Sequence, residues 1–345
     1  MVPAFPLSES DFGPVANSVP PDLKGMRVFL TGATGFVGTW LLEYFRLHCE
    51  ACPEMFVLSR DPGAFASRLP HLAACGWLTV IPGEVRSLDA LPAGIDMVLH
   101  GATTASQVLN EGSPLEMADV IVRGTEQMLR LSAKHRVKRF LFLSSGLAYG
   151  SQPSDLEAIA EDRMGYLDAL DPKAAYGNAK HFAEHLCVQH ARLGGFQASI
   201  ARLFAFVGPL LPLDTHFAAG NFIRDGLARA AIQVKGDGSP LRTYLHAAEL
   251  AHWIWTLLLH GKPSEIYNVG SDEIVSIREL AVAVARQCGV PLNIAGIPQP
   301  GALPARYVPD IRKAGELGLK PMLTLEESLR LTLSWHRRRM KTESA

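Results

Sequence analysis

The stretch AAYGNAK, residues 174–180, sets Tyr176 and Lys180 four positions apart. On a helix those positions share a face, so a phenol and an ammonium meet there. A neighbouring cation favours the phenolate and lowers a pKa that is ordinarily near ~10. A phenol tuned in this way can move protons at neutral pH. The same spacing also suits a tyrosine packed at a helix edge with a solvated lysine, so the rest of the chain has to supply a reason for the pair.

The first reason is a nucleotide-binding element. MRVFLTGATGFVGTWLLEYFRLH, starting at Met26, reads as strand, turn and helix. Val28, Phe29 and Leu30 form a continuous apolar run, as a buried parallel strand requires. Gly32, Gly35 and Gly38 follow at intervals of three. One glycine permits a tight turn, one lets backbone approach a pyrophosphate, and one lets helix pack close to strand. The phosphate would sit on the free N–H groups of the helix N-terminus. The second strand, EMFVLSR, should end beside the adenosine ribose, where an acid marks NAD. Here stand Ser59 and Arg60, then Asp61. Arg60 suits a 2′-phosphate and Ser59 leaves room for it, which points to NADP; with Asp61 on the ribose instead, the cofactor is NAD. LTVIPGEV ends at Glu84, expected near the adenine. DMVLHGAT leads into the His100 loop, and RFLFLSSGLAYG ends in Ser144 and Ser145. Strands alternating with helices imply a doubly wound parallel sheet, with all of these strand ends facing one crevice.

Composition narrows the partners. The chain has 345 residues, 48% hydrophobic and 19% charged, with 33 Lys and Arg against 34 Asp and Glu. That balance gives no electrostatic basis for binding nucleic acid or a membrane surface. WIWTLLL is far shorter than the roughly 20 residues that cross a bilayer. The N-terminus lacks the basic and apolar regions of a signal peptide, and five unevenly spaced cysteines argue against a disulfide framework; both fit a cytoplasmic protein. Cys49 and Cys52 form a lone CxxC, and His181, His185 and His190 share the Tyr176 helix without a zinc motif; no metal is expected. HRRRMKTESA reads as a frayed polar tail.

With TGATGFVG, SSGLAYG and YGNAK in order, the chain from Met26 to about Trp335 resembles the extended short-chain dehydrogenase/reductase family, and within it the nucleotide-sugar epimerases, dehydratases and ketoreductases. ARLFAFVGP, IQVKGDGSPLRTYLHAAELA, YNVGS and SIRELA extend the likeness. It implies an α/β fold: a Rossmann domain (25–203 and 243–269) with a smaller C-terminal α/β substrate lobe (204–242 and 270–336), between an irregular arm (1–24) and the tail (337–345). It implies Tyr176 as general acid/base, Lys180 as the group that lowers its pKa and holds the nicotinamide ribose, and Ser145 on the same substrate oxygen. Ser144 is then a structural strand-end hydroxyl. The dinucleotide would be bound by Gly32, Thr34, Gly35, Phe36, Val37, Ser59, Arg60, Glu84, Val85 and Ala102, with Tyr176 and Lys180. The nucleoside-diphosphate sugar would be bound by Ser106, Ser145, Gly146, Asn221, Arg242 and Arg306, the two arginines gripping the diphosphate from one crevice. His216 belongs to the same lobe. A homodimer is implied as well.

Three departures qualify the resemblance. The 4,6-dehydratases carry Asp-Glu directly after the catalytic Ser or Thr, where this chain has Gly146 and Leu147, which move no protons. Ile121 stands where the family usually has asparagine, and Arg60 where it has an acid. The leading expectation is therefore hydride transfer at a sugar carbon, most naturally C4, by an epimerase or a 4-ketoreductase serving polysaccharide biosynthesis. The alternatives are an NADP-dependent reductase of a non-sugar alcohol, a dehydratase lacking the usual acid pair, and a non-catalytic dinucleotide sensor.

Overall fold

The computed structural model describes residues 5–103, 112–163, 165, 167–213, 217–299 and 301–343; Ser106 and His216 lie outside the described residues. The strands are β1 (Arg27–Thr31), β2 (Glu54–Ser59), β3 (Leu78–Pro82), β4 (Met97–His100), β5 (Arg139–Ser145), β6 (Gln197–Leu203), β7 (Phe206–Val207), β8 (Ile232–Val234), β9 (Leu241–Arg242), β10 (Leu245–His246), β11 (Ile266–Val269), β12 (Val275–Ser276), β13 (Leu292–Ile294) and β14 (Arg306–Tyr307). Seven of them form one sheet in the order β11-β6-β5-β4-β1-β2-β3. Every pairing in it is parallel. The order reverses between β1 and β4, the switch point at which such sheets bind ligands.

The sheet is covered on both faces, which is why its strands read as unbroken apolar runs. On one side, helix α1 (Phe36–Leu47) packs on the helix Ala247–His260. The Phe45 and Trp255 rings lie 4.8 Å apart, and Trp255 Nε1 donates to the Leu41 carbonyl at 3.1 Å. On the other side lie the helices Pro114–Lys134 and Ala175–Gly194, over Phe140, Phe142 and Ile200. The fold is the doubly wound Rossmann type with a smaller C-terminal lobe. That lobe holds a three-stranded sheet, β12-β9-β14, the pair β13-β8, and a core of its own around Phe222, Ile223, Val284 and Leu329. Local sequence sets its elements. Ser276 and Glu279 form a capping box at the start of the helix Ile277–Cys288, and Gly289, at φ 64°, ends it.

Two terminal segments differ from the sequence reading. Within the stretch read as an irregular arm, Glu9–Asn17 forms 3-10 turns interrupted by a kink at Gly13, φ 55°. It buries Phe12 against Trp40, ring centroids 5.2 Å apart. The last helix runs unbroken over Leu325–Glu343, so residues 337–343 are not a frayed tail. Arg338 there pairs with the buried Asp11 at 2.5 Å, an anchor that composition alone does not reveal.

Candidate active site

At the switch point the glycine loop meets the β4 loop almost without clearance. Gly32 has φ 82°, and a Cβ on it would lie 2.5 Å from the Gly101 carbonyl. Only glycine satisfies both the backbone and the contact. Gly35 is the N-cap of α1 and offers no side-chain cap. A Cβ there would meet nothing nearer than the Gly32 oxygen at 3.6 Å, and Thr34 and Gly35 are exposed at the helix N-terminus, with Phe36 and Val37 in its first turn. A site with unused N–H groups and no side chain in the way fits a pyrophosphate. Thr31 braces the two loops: its hydroxyl accepts from the N–H of Gly101 and of Ala102 at 3.2 and 3.1 Å. It also pairs with His100 Nδ1 at 2.7 Å. His100 is fully buried and burial pushes its pKa to about 3, so it is a neutral strut rather than an acid.

At the adenosine end, Ser59 is buried and its hydroxyl accepts from Asp61 N–H at 3.2 Å. Arg60 is exposed beside it. Asp61 caps the following helix, Pro62–Arg68, its Oδ1 accepting from Ala64 N–H at 2.8 Å. Arg68 was not singled out from sequence. It is half-buried, donates to the Thr34 carbonyl of the glycine loop, and burial lowers its pKa. Glu84 is held by Arg86 at 3.1 Å, and Val85 packs where Gly124 leaves room on the helix Pro114–Lys134.

The predicted catalytic residues come from two neighbouring elements. β5 ends in Ser145, and the 3-10 turn Gly146–Tyr149 follows. Tyr176 and Lys180 lie in the first turns of the helix Ala175–Gly194. Gly177 lets that helix approach the turn, since a Cβ on it would sit 2.5 Å from the Leu147 carbonyl. Burial raises the Tyr176 phenol to about 12, and interaction with the Ser145 hydroxyl pulls it back in part. Lys180 is buried; its Nζ donates to the Leu143 carbonyl at 2.7 Å and lies 4.6 Å from the Phe142 ring centre and 5.8 Å from that of Tyr176. Burial lowers its pKa to about 7, with Glu184 opposing the shift. The expected lowering of Tyr176 by Lys180 is thus not the dominant effect. The phenol is governed by desolvation, and one donor of the ammonium goes to a backbone carbonyl.

One turn beyond Lys180 lies a network that the sequence reading missed. Glu184 accepts from Arg202 at 2.9 and 2.6 Å and from the Ser144 hydroxyl at 2.5 Å. Ser144 therefore belongs to the scaffold, and Ser145 to the open side. Arg202 also lies over the Tyr149 ring at 4.1 Å, and Tyr149 Oη donates to Asn268 Oδ1 at 2.9 Å. Asn268 Nδ2 in turn donates to the carbonyls of Ile159 and Asp310 at 2.8 and 3.0 Å. The Lys180–Glu184 spacing of four was the available sequence signal.

On the substrate side, Gly146 is buried, and Tyr307 of β14 reaches it from the second lobe. β14 runs parallel to β9 with Tyr307 opposite Arg242 and Arg306 opposite Leu241. Alternation along a strand sends Arg242 and Arg306 to opposite faces of this small sheet. The two side chains thus start from opposite faces, where the sequence reading had both enter one crevice. Arg242 lies 5.8 Å over the Tyr307 ring and donates to the Leu241 carbonyl at 2.8 Å. Arg306 turns to the Ser154 carbonyl at 3.0 Å. Neither takes the local acids: Glu249 caps backbone N–H groups, including that of Leu323 at 3.1 Å, and Asp310 pairs with Arg312 at 2.5 Å. Asn221 is half-buried on the helix Ala218–Leu227, accepting from Arg224 at 3.1 Å.

Known proteins place this arrangement. The NAD dependent epimerase/dehydratase family model matches residues 28–270. The chain is 27% identical to UDP-glucuronic acid decarboxylase 1 of Danio rerio, over 92% of this chain and 74% of that protein. Its fold is shared with UDP-glucose 4-epimerase of Thermotoga maritima, solved with UDP-glucose (TM-score 0.77, 21% identity, 91% of this chain and 100% of that one). It is shared also with the Thermus thermophilus UDP-glucose 4-epimerase complex with NAD (TM-score 0.74, 23% identity, 90% and 99%). Among the described residues no helix is long and apolar enough to cross a membrane. The chain belongs to the NAD-dependent epimerase/dehydratase family and is an enzyme of the extended short-chain dehydrogenase/reductase type that its motifs resemble.

Proposed function

We propose that the protein interconverts a hydroxyl and a ketone at C4 of a nucleoside-diphosphate sugar, as an epimerase or a 4-ketoreductase. The observation that carries this reading is the pairing of Ser145 and Tyr176 at the sheet's carboxyl end with a following Gly146-Leu147 that holds no acid or base. The described residues can move one proton on one oxygen, and positions 146 and 147 supply no second pair for elimination. The nicotinamide, when bound, supplies or accepts the hydride. Tyr176 gives a proton to the C4 oxygen on reduction or takes it on oxidation. Ser145 holds that same oxygen. Lys180, buried and without an acid directly on its Nζ, has donors to spare for ribose hydroxyls. Arg242 meets the diphosphate as a guanidinium fork.

The similarity to UDP-glucuronic acid decarboxylases favours a second outcome of the same first step. A 4-keto sugar with a carboxylate on C5 is a β-keto acid. It loses carbon dioxide without help from residues 146 and 147.

The assay offers UDP and dTDP sugars with each dinucleotide. Stoichiometric loss of reduced-nicotinamide absorbance with a 4-keto sugar identifies a ketoreductase. Interconversion of C4 epimers with no net change in cofactor identifies an epimerase, and carbon dioxide from UDP-glucuronic acid a decarboxylase. Turnover of a neutral alcohol, with no nucleoside diphosphate bound at millimolar concentration, would overturn the nucleotide-sugar reading.

A further inference from the structure

Three residues past His100 stands Thr103, and three past Phe142 stands Ser145. β4 and β5 run parallel with His100 opposite Phe142, so the same register carried onward brings the two hydroxyl groups level. The loop that carries Thr103 is held where it leaves the strand. Ala102 N–H donates to the Thr31 hydroxyl at 3.1 Å, and a Cβ on Gly101 would fall 2.9 Å from the Leu143 side chain of β5. Tyr176 reaches the same place from its helix. Burial raises its phenol to about 12, and the Ser145 and Thr103 hydroxyls both act against the rise.

The two hydroxyls differ in what is left for them to do. Ser145 Oγ accepts from Leu147 N–H at 3.2 Å, and its single hydrogen serves the sugar oxygen in the reading above. A hydroxyl has one hydrogen to give, so Ser145 does not serve the sugar oxygen and the Tyr176 oxygen at once. Lys180 gives one donor to the Leu143 carbonyl, and its Nζ stands 5.8 Å from the centre of the Tyr176 ring. The Thr103 oxygen is buried, and among the described residues it has no partner at hydrogen-bond length. Its hydrogen is uncommitted, beside a phenol that burial makes hard to ionise.

We propose that Thr103 is a catalytic residue of this site, its hydroxyl donating to the Tyr176 oxygen while that oxygen is a phenolate and leaving the Ser145 hydrogen on the sugar oxygen. This rests on the role of Tyr176 in the reading above and adds the group that holds its anion. The phenolate exists before Tyr176 takes the C4 proton on oxidation and after it has given that proton up on reduction. Thr103 keeps its own proton throughout; the proton that moves is the one exchanged between the C4 oxygen and Tyr176.

The test uses Thr103→Val, which keeps the branched shape and removes the hydroxyl, with Thr103→Ser as the restoring variant. In denaturant unfolding with the preferred dinucleotide saturating, Thr103→Val should lower the folding equilibrium constant about 5-fold more in the wild type than in Tyr176→Phe, the worth of one neutral hydrogen bond. An equal effect in both backgrounds removes the phenol as the partner of Thr103 and overturns the proposal. In turnover, Thr103→Val should lower kcat for oxidation of the sugar alcohol about 10-fold at neutral pH with KM little changed, the scale of one hydrogen bond to a charged oxygen, and Thr103→Ser should restore it. Full turnover in Thr103→Val overturns the proposal, as does a serine as slow as the valine. A loss confined to KM also overturns it, because the hydroxyl then serves the substrate rather than the Tyr176 oxygen. If the wild type turns over no nucleotide sugar, the nucleotide-sugar reading has failed. The unfolding comparison, and kcat on whichever alcohol is oxidised, then decide on Thr103.

Discussion

Arg202 closes a two-pronged hydrogen bond on Glu184 in a pocket where both side chains are almost fully buried, at 2.9 and 2.6 Å. The pair sits one turn below Lys180 and fixes the strand-end Ser144 at the same time. It therefore sets how the Tyr176 helix is seated on the sheet. Removing one partner leaves the other charged and dry. Glu184→Gln should cost on the order of 3–5 kcal/mol of stability. Chemical denaturation should show a lower midpoint at an unchanged slope. A loss below ~1 kcal/mol would mean that water reaches the pair, as it does in exposed ion pairs.

Tyr176→Phe should keep the fold and the binding of the dinucleotide while turnover falls at least ~100-fold, the scale of a positioned acid or base. With the phenol raised to about 12, the wild-type rate of alcohol oxidation should climb with pH through the neutral range. Turnover close to normal in the variant would take Tyr176 out of the mechanism.

Lys180 titrates near pH 7 in the folded chain and near ~10.4 in the unfolded one. Between those values the unfolded state holds a proton that the folded state does not, so stability rises with pH. Below about pH 7 the whole cost of burying the charge is present. Lys180→Met removes this dependence. From about pH 7 to pH 9 the wild type should gain up to ~1.4 kcal/mol per pH unit over the variant in denaturant titrations. Parallel pH profiles for the two proteins would refute a depressed lysine.

Arg60 is exposed at the end of β2, and Asp61 caps the following helix through Oδ1. Arg60→Ala should weaken NADPH by about 10- to 100-fold and NADH little, because only the 2′-phosphate loses a charged partner. Fluorescence titration with both dinucleotides measures this. Equal weakening, or a wild-type preference for NADH, would assign the ribose to another group.

Local patterns were legible in the sequence, and long-range placement was not. The strand, the glycine spacing and the amphipathic α1 occupy one short stretch, so composition and periodicity suffice to read them. Tyr176, Lys180 and the strand-end Ser145 were readable for the same reason. Arg68 escaped notice because its bond to Thr34 depends on how a helix folds back over the glycine loop. Tyr307 arrives through a two-residue strand whose register no periodicity records. Register likewise separates Arg306 from Arg242, two positions that motif likeness alone had put together. The C-terminal segment looked like a solvated tail because the acid that Arg338 meets is more than three hundred residues away.

The amide of Asn268 ties together pieces of chain that are otherwise only loops. It holds the carbonyls of Ile159 and Asp310, while its own N–H donates to Glu161 at 2.8 Å. Backbone bonds cross the same seam, from Ile159 N–H to the Val308 carbonyl at 2.9 Å and from Asp310 N–H to the Ile159 carbonyl at 3.0 Å. Segments joined in this way open as a unit. In hydrogen exchange, the amides of Ile159, Asn268 and Asp310 should share one opening free energy, so that the rim of the cleft detaches from the sheet in a single event rather than fraying loop by loop.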